Sequence, residues 1–314
     1  MTILNSYITP SYIRIIEYGM EISRFKSEKI HQKFLTFYDE AMKKLPVPQE
    51  IFDIDTTYGT VRVYRFGNRG GIPILLFPGR AASTPMWEPN MAGLLKTYDV
   101  YSMDLLGEPG MSTQTKPIKD NEQQAAWVED VLRELQLTKV HLVGVSFGGW
   151  SAVNYAVHYQ KYIASIILLD PALVFAPFSL KIIVFSLITI LPFVPESWRK
   201  KSMSWISGGA QVDPQDSTAR LISIGLKDFL IKTPPPKQFT TEQLNSIQAP
   251  ILVIFAGKSI VHDSAKALAY AKSLSNSIEA EIWPAASHAI NGEFPNEINE
   301  RISTFLSGIN SQKK

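Results

Sequence analysis

A serine in a glycine-flanked segment is the first candidate for chemistry in this chain. Residues His141 to Trp150 read H-L-V-G-V-S-F-G-G-W, and the centre, Gly144 to Gly148, matches G-x-S-x-G. An apolar run precedes the motif and a helical pattern follows it, which is the context in which it marks a nucleophile. We therefore predict that Ser146 is a nucleophile on a tight turn, with glycines on either side that allow close backbone approach.

The second candidate is a histidine, because a serine hydroxyl needs a base that takes its proton. Of the five histidines, His288 is the one that follows the last predicted strand, in W-P-A-A-S-H-A-I-N-G-E-F-P. This position satisfies the chain order serine, acid, histidine that the motif requires. We predict His288 as the base and keep His262 as the alternative. We interpret the remaining three as structural: His31, His141 and His158.

The third candidate is a carboxylate that holds the imidazole tautomer and stabilises the imidazolium. In the loop A-G-K-S-I-V-H-D, after the seventh predicted strand, the usual position holds Ser259 or Ile260. The first acid there is Asp263, which also suits a helix N-cap. Asp170 ends the sixth predicted strand, beside the strand that leads to Ser146. We prefer Asp170, keep Asp263 as the alternative acid, and leave open that neither serves.

Two backbone N–H groups are the candidates for an oxyanion hole. One belongs to Phe147, directly after the serine, and the other to the loop F-P-G-R-A-A-S after the third predicted strand. The place of this loop indicates the N–H of Arg80 as the second donor, with the N–H of Ala81 as the alternative. The Arg80 side chain could bind a substrate carboxylate, although a solvated loop charge is the simpler interpretation. Asp104 is interpreted as a cap for the following glycine-rich loop.

Alternating strands and helices must position these residues. An antiparallel hairpin around Tyr58 and Gly59 precedes six apolar strands that are separated by helices. This alternation predicts the α/β class, with a mostly parallel eight-stranded sheet and helices on both faces. The six strands are expected at Ile72 to Phe77, Tyr98 to Met103, the segment into Ser146, Ser165 to Leu169, Pro250 to Ala256 and Ile278 to Trp283.

Residues 171–249 interrupt the alternation and are rich in aromatic side chains. We predict a helical cap there, inserted after strand 6 and above the carboxyl ends of the strands, where open α/β sheets bind ligands. The predicted organisation is an N-terminal helical extension over residues 1–50, a core over 51–170 and 250–314, and the cap over 171–249. The periodicity of residues 18–45 predicts an amphipathic helix within the extension.

Composition excludes several function classes. The 31 basic and 29 acidic residues give a net charge of +2, so we expect no nucleic-acid partner. Cysteine is absent, and neither metal-ligand spacing nor a phosphate or dinucleotide glycine motif occurs. We therefore expect no metal and no cofactor.

The chain has no segment that predicts secretion or stable membrane insertion. Its first ten residues have neither a positive region nor a sustained apolar core, so we expect no secretory signal and a cytoplasmic location. The apolar segment from Val174 to Val194 is interrupted by Pro177 and Pro192, leaving fewer than the roughly 20 residues that a spanning helix needs. A cap helix is the better interpretation.

These motifs together resemble the α/β-hydrolase superfamily over Phe52 to Leu306. The matching segments are F-P-G-R, where such proteins carry H-G-x-x, D-L-L-G-E-P-G-M-S, where they carry D-x-x-G-x-G-x-S, G-V-S-F-G-G and A-A-S-H. More narrowly, S-T-P-M-W-E-P-N, D-P-A-L-V-F-A-P-F and V-H-D resemble small bacillary carboxylesterases of the naproxen-esterase type. The resemblance implies the α/β-hydrolase fold and ester hydrolysis through an acyl-enzyme, with Ser146 and His288 in the catalytic positions.

Two departures from that family lead to a second hypothesis. Pro78 stands where the family carries the histidine of H-G, and Ser259 aligns with the acid after the seventh strand. We expect a serine hydrolase that cleaves carboxylic esters of small to medium apolar compounds. The alternative is a ligand-binding or regulatory protein with weak or no turnover. The expected partner is a small-molecule ester, and the sequence leaves a homodimer open.

Overall fold

One mixed sheet organises the chain. The computed structural model describes residues 21–67, 70–184, 215–274 and 277–311. Its main strands are β1 Glu50–Thr56, β2 Gly59–Arg65, β3 Ile72–Phe77, β4 Tyr98–Met103, β5 Val140–Val145, β6 Ile163–Leu169, β7 Ile251–Ala256 and β8 Ile278–Trp283. These eight strands form a continuous path in the order β8-β7-β6-β5-β3-β4-β2-β1.

The sheet is parallel except at one edge. The strands from β3 to β8 pair in parallel with their neighbours, whereas β1 and β2 form an antiparallel hairpin and β2 pairs antiparallel with β4. A two-residue strand, Thr113–Gln114, also pairs with β2. The predicted mostly parallel eight-stranded sheet is confirmed, and the short additional strand lies outside the main path.

Apolar side chains cover both faces of the central strands. Every residue of β5 and β7 is buried. Successive side chains of a strand point to opposite faces, and accordingly Leu142 and Val143 belong to two different hydrophobic clusters, one on each side of the sheet. Burial on both faces explains why these strands are continuous apolar runs rather than alternating patterns.

Helices form the outer layers. Their bounds are α1 Glu28–Met42, α2 Glu88–Leu94, α3 Asn121–Glu134, α4 Phe147–His158, α5 Ser217–Asp228, α6 Thr241–Asn245, α7 Ser264–Ser273, α8 Ile290–Glu293 and α9 Pro295–Ser311. Buried residues of α3, α4 and α7 belong to one of the two hydrophobic clusters, and those of α1, α2 and α9 belong to the other.

Two helices differ from their predicted bounds for local reasons. The helix expected over residues 18–45 begins at Glu28, because the Ser27 hydroxyl accepts the N–H of Ile30 and caps it. The helix expected near residues 85–97 is divided into a 3₁₀ turn, Thr84–Trp87, and the shorter α2. A proline in the first turn of each piece explains the division, since proline suits a helix start but not its interior.

The N-terminal extension and the cap segment contact each other. Lys26 lies 3.3 Å from Asp228, and Lys44 pairs with Asp216 at the N-terminus of α5. A pair of two-residue strands, Arg24–Phe25 and Phe229–Leu230, joins them further. Residues 1–20 of the predicted extension and residues 185–214 of the predicted cap lie outside the described residues. Among the helices that the structure describes, none is long and apolar enough to cross a membrane.

Candidate active site

Ser146 lies at the sharp turn between β5 and α4. Its backbone has φ 52° and ψ −117°, a region that costs about 1–3 kcal/mol for a residue with a side chain. The surrounding backbone holds it there, because the Ser146 N–H donates to the Leu169 carbonyl (3.1 Å) and the Ser146 carbonyl accepts from Trp150 and Ala172. The turn therefore keeps the serine in one orientation at the carboxyl end of β5.

The two flanking glycines allow this turn to pack. A Cβ atom on Gly148 would lie 2.1 Å from the Phe77 carbonyl oxygen, and one on Gly144 would lie 2.6 Å from the Gly148 oxygen. Real Cβ atoms do not approach backbone oxygens so closely. Neither position has room for a side chain. The motif predicted glycine at both positions for this reason, because glycine allows close backbone approach.

The loop after β8 brings His288 to the serine. Nε2 of His288 lies 2.9 Å from Ser146 Oγ, and Nδ1 lies 2.6 Å from Asp170 Oδ2. The loop is held by Glu293, which accepts hydrogen bonds from the N–H (2.7 Å) and the hydroxyl (2.6 Å) of Ser287. Three residues that are far apart in the chain thus form one continuous line of hydrogen bonds.

Asp170 follows β6 and is fully buried, with a positive φ of 44°. Its Oδ1 accepts the N–H of Ala256 (3.0 Å), and its Oδ2 accepts the Ser259 hydroxyl (2.7 Å) as well as His288. Ser259 holds the position after β7 at which the family resemblance led us to expect the acid. In this chain its side chain donates to the carboxylate of the neighbouring strand instead.

A second imidazole contacts the same carboxylate. Nε2 of the buried His262 lies 3.1 Å from Asp170 Oδ1. Burial by itself would raise the pKa of Asp170, but the interactions with His262 and His288 outweigh burial and hold that pKa well below its usual value. Asp170 is therefore ionised at neutral pH.

The structure does not bring Asp263 to His288. Its side chain is about half exposed and caps α7, where Oδ1 accepts the N–H of Lys266 at 3.1 Å. The helix-cap role that competed with the acid role in the sequence is therefore the one that the geometry supports. The alternative base, His262, faces Asp170.

The other histidines have contacts away from the serine. The His31 ring stacks on Phe25 at 4.8 Å, Nδ1 of His141 lies 2.7 Å from Ser165 Oγ, and Nδ1 of His158 donates to the Asn154 carbonyl (2.8 Å). Within the ranges that the structure covers, no group of three histidine or acidic side chains could hold a metal ion.

The loop after β3 runs alongside Ser146, since a Cβ on Gly79 would lie 3.8 Å from the Ser146 Cβ. No acceptor among the described residues takes the N–H of Arg80 or of Phe147. The N–H of Ala81, the second choice, donates to Glu108 Oε2 at 3.1 Å. Among the described residues, the N–H groups of Arg80 and Phe147 thus have no acceptor, whereas that of Ala81 is paired.

Sequence reasoning missed Glu108. This carboxylate is almost fully buried and lies 2.9 Å from Arg80 Nη1, so the Arg80 side chain is paired, although it stays 30% exposed. Burial raises the pKa of Glu108, and the Arg80 charge with the Ala81 N–H offsets that effect only in part. The sole signal in the sequence was a charge inside the otherwise uncharged segment L-L-G-E-P-G-M.

Asp104 holds the loop that contains Glu108, as predicted. Its Oδ1 accepts the N–H of Thr84 and its Oδ2 accepts the N–H of Met111, both at 2.8 Å. The Tyr38 hydroxyl also donates to Oδ2 (2.8 Å). Asp104 therefore joins α1 to two loops, the one that leads to Thr84 and the one that contains Glu108 and ends at Met111. It lies apart from the serine.

Comparison with known proteins defines the class. A family model described as the alpha/beta hydrolase fold matches residues 72–200. The crystal structure of naproxen esterase (carboxylesterase NP) from Bacillus subtilis superposes with a TM-score of 0.81 at 26% identity, covering 90% of this chain and 99% of that one. The chain has the α/β-hydrolase fold, as the motifs predicted.

Two relatives from Bacillus subtilis (strain 168) narrow the class. Carboxylesterase YbfK is 27% identical over 283 residues, covering 88% of this chain and 94% of that protein. The uncharacterized carboxylesterase nap is 27% identical over 289 residues, covering 88% and 92%. The predicted resemblance to small bacillary carboxylesterases is confirmed, and the protein is a carboxylesterase-like hydrolase.

Proposed function

We propose that this protein is a serine hydrolase that cleaves carboxylic esters of small to medium apolar compounds through an acyl-enzyme. The observation that carries the proposal is the line of hydrogen bonds from Ser146 Oγ through His288 to Asp170, with distances of 2.9 Å and 2.6 Å. A serine, an imidazole and a buried carboxylate in this order are what nucleophilic catalysis on an acyl group requires.

In the first half-reaction, Ser146 Oγ attacks the ester carbonyl while His288 Nε2 takes the hydroxyl proton. The negative charge of Asp170 stabilises the imidazolium and keeps the Nδ1 proton in place. The N–H groups of Arg80 and Phe147 stabilise the oxyanion of the tetrahedral intermediate. Collapse breaks the ester C–O bond, His288 returns the proton to the leaving alcohol, and the acyl group stays on Ser146.

In the second half-reaction, water replaces the alcohol. His288 takes a proton from the attacking water, which forms a second tetrahedral intermediate in the same oxyanion site. Its collapse breaks the bond to Ser146 Oγ, which regains its proton from His288, and the carboxylic acid leaves. Both halves require Asp170 to be ionised, and its lowered pKa supports this state throughout the neutral range.

Exposed apolar side chains near the site support an apolar substrate. Ser179, at the start of the cap segment, donates its N–H to the Val261 carbonyl (2.8 Å) and its hydroxyl to the Ile260 carbonyl. This anchors the segment beside the loop that contacts Asp170. Four large apolar side chains around Ser179 are solvent-exposed: Phe178, Leu180, Ile183 and Val184. Such a patch favours an apolar ligand.

The alternative of a binding protein without turnover was motivated by Ser259. That motive is weakened, because Ser259 donates to Asp170 and Asp170 accepts from His288. A carboxylate therefore lies within hydrogen-bonding distance of the His288 imidazole, even though Ser259 holds the usual position of the acid. We favour hydrolysis on this ground.

Covalent labelling tests the proposal. A fluorophosphonate should label Ser146 stoichiometrically, and Ser146→Ala should abolish both labelling and turnover of a short p-nitrophenyl ester. Ser151→Ala is the matched control, since it removes a buried hydroxyl one turn further along α4 that donates to the Phe147 carbonyl. The control should be labelled like the wild type. Unchanged turnover in Ser146→Ala, or an unlabelled wild type at every pH, would overturn the proposal.

A further inference from the structure

The two N–H groups of the proposed oxyanion site come from separate segments. Arg80 lies in the loop after β3, whereas Phe147 is the first residue of α4. Oxyanion stabilisation requires both donors at about 2.7–3.1 Å from one developing charge. A small displacement of one segment against the other would therefore weaken transition-state stabilisation, so some contact has to hold their spacing.

The Arg80 side chain makes that contact. Its guanidinium carbon lies 4.0 Å from the centre of the Phe147 ring. A guanidinium over the face of an aromatic ring is attracted to it electrostatically, and the attraction grows as the pair is desolvated. The residue that supplies one donor thus packs its side chain on the residue that supplies the other.

Glu108 holds this arrangement from a third segment. Its Oε1 lies 2.9 Å from Arg80 Nη1, and its Oε2 accepts the N–H of Ala81 at 3.1 Å. Ala81 has φ 58°, so the loop makes a left-handed bend at the residue whose N–H Glu108 binds. One buried carboxylate therefore fixes both the side chain of Arg80 and the backbone directly after it.

We propose that Glu108 is a positioning residue, which acts through the Arg80 side chain to hold the N–H groups of Arg80 and Phe147 at the spacing that the oxyanion requires. This inference rests on the proposed function, because it assigns a role within ester hydrolysis. Glu108 does not touch the substrate. Its removal should reduce stabilisation of the tetrahedral intermediate and leave ground-state binding of the ester unchanged.

A second buried ion pair provides the control. Arg65 and Asp99 are both buried and joined by two short hydrogen bonds, Nε to Oδ1 (2.9 Å) and Nη2 to Oδ2 (2.8 Å). The pair lies on β2 and β4, which do not carry Ser146, His288 or Asp170. Asp99→Asn therefore removes a comparable buried charge without touching the proposed oxyanion site.

The experiment compares Glu108→Gln with Asp99→Asn. In Glu108→Gln we expect kcat for a short p-nitrophenyl ester to fall about 10- to 100-fold. This fall is no larger than the one that removal of an oxyanion donor itself causes. KM should stay within about twofold of the wild-type value. The inhibition constant of a trifluoromethyl ketone, whose serine adduct places an anionic oxygen in the site, should rise by the same factor. In Asp99→Asn, kcat and the inhibition constant should stay near wild type even where thermal stability falls. An unchanged inhibition constant in Glu108→Gln, or equal losses of kcat in both variants, would overturn the inference.

Phe147→Leu keeps the test decisive if Glu108→Gln does not fold. This variant retains the N–H and the ion pair but removes the ring, and we expect kcat to fall roughly tenfold by the same route. If both variants fold, the double variant should lose no more than the worse single one, because both break one chain of contacts. Additive losses would contradict the inference. Ester turnover by the wild type and its loss in Ser146→Ala test the proposed function separately.

Discussion

Two buried carboxylates, Asp170 and Glu108, contact residues of the proposed active site, and their surroundings differ. Asp170 accepts hydrogen bonds from an amide, a hydroxyl and His288, and it also contacts His262. Glu108 accepts a hydrogen bond from one amide and lies close to one guanidinium, that of Arg80. The pKa of Asp170 is accordingly lowered in spite of burial, whereas burial raises that of Glu108. Burial alone therefore does not decide the charge of a carboxylate; the number and charge of the groups around it do.

The difference matches the two proposed roles. Asp170 has to stay charged while His288 gains and loses a proton, which requires strong stabilisation of the ionised form. Glu108 only has to hold a loop, for which a single arginine and one amide suffice. Variants at the two positions should therefore differ in the size of their effect, in its pH dependence and in the step affected.

The largest effect is expected for Asp170→Asn. The amide cannot stabilise the imidazolium and favours the wrong tautomer of His288, so kcat should fall roughly 10⁴-fold. Asp263→Asn is the matched control and should retain kcat within about twofold, because its side chain caps α7 and does not contact His288. Steady-state rates on a p-nitrophenyl ester decide this. A loss in Asp263→Asn with Asp170→Asn unaffected would assign the acid to the other position.

A smaller effect is expected for Ser259→Ala. The hydroxyl donates to the carboxylate oxygen that also accepts from His288, and a hydrogen bond to a charged group contributes about 1.5–3 kcal/mol. We expect kcat to fall roughly tenfold or somewhat more as the carboxylate loses one of its restraints. Ser264→Ala removes a hydroxyl at the start of α7 that donates to the Ala256 carbonyl at the end of β7, and it should leave kcat nearly unchanged. Equal rates in both variants would show that Ser259 does not support Asp170.

The pH dependence of stability should separate the two carboxylates by sign. Because folding lowers the pKa of Asp170, its carboxylate stabilises the fold above the unfolded value of about 3.9, and that contribution is lost as pH falls through the folded pKa. Because folding raises the pKa of Glu108, its contribution is fully present below the unfolded value of about 4.3 and is lost as pH rises through the folded pKa.

Urea unfolding between about pH 2 and pH 8 measures this difference, because the Asp170 contribution is lost only below the unfolded value of about 3.9. The deficit of Asp170→Asn relative to the wild type should be largest near neutral pH and should shrink towards acid. The deficit of Glu108→Gln should instead grow towards acid, since the wild type gains stability there. Parallel pH profiles for the two variants would contradict the contrast between the carboxylates.

The smallest effect concerns stability alone. Asp263→Ala removes the side chain that accepts the Lys266 N–H, and loss of a helix N-cap costs about 1 kcal/mol. The midpoint of thermal unfolding should fall by roughly 2–4 °C or by less, because the same loss of free energy shifts the midpoint less in a longer chain. The turnover number should not change. A large loss of activity without a loss of stability would show that the carboxylate serves catalysis after all.

Much of the fold and of the candidate site could be predicted, because short patterns in the sequence specify the central strands and the position of Ser146. The central strands are short apolar runs between helical periodicities, and Ser146 lies in a motif of five residues. His288 was selected by chain order alone. The first two features depend on near neighbours in the sequence and the third on the order of motifs along the chain, so none of them requires knowledge of tertiary contacts.

The choice of acid and the role of Glu108 could not be predicted in the same way. Asp170 and Asp263 both follow strands at the same edge of the sheet, and only the fold shows which carboxylate faces the imidazole. The contact between Ser259 and Asp170 joins residues 89 positions apart. Nothing in the segment around Glu108 shows that the loop after β3 covers it, so its burial and its pairing with Arg80 emerge only in three dimensions.

The most direct test is the proton NMR signal of the His288 Nδ1–H group. An N–H that donates to a carboxylate at 2.6 Å should resonate far downfield of the ordinary amide and indole protons. Selective ¹⁵N labelling of histidine, together with a His262→Phe variant, assigns the signal to His288. We predict that the signal persists in Asp263→Asn and disappears in Asp170→Asn. A signal that persists in Asp170→Asn would contradict the assignment of Asp170 as the carboxylate that accepts the Nδ1–H of the proposed base, His288.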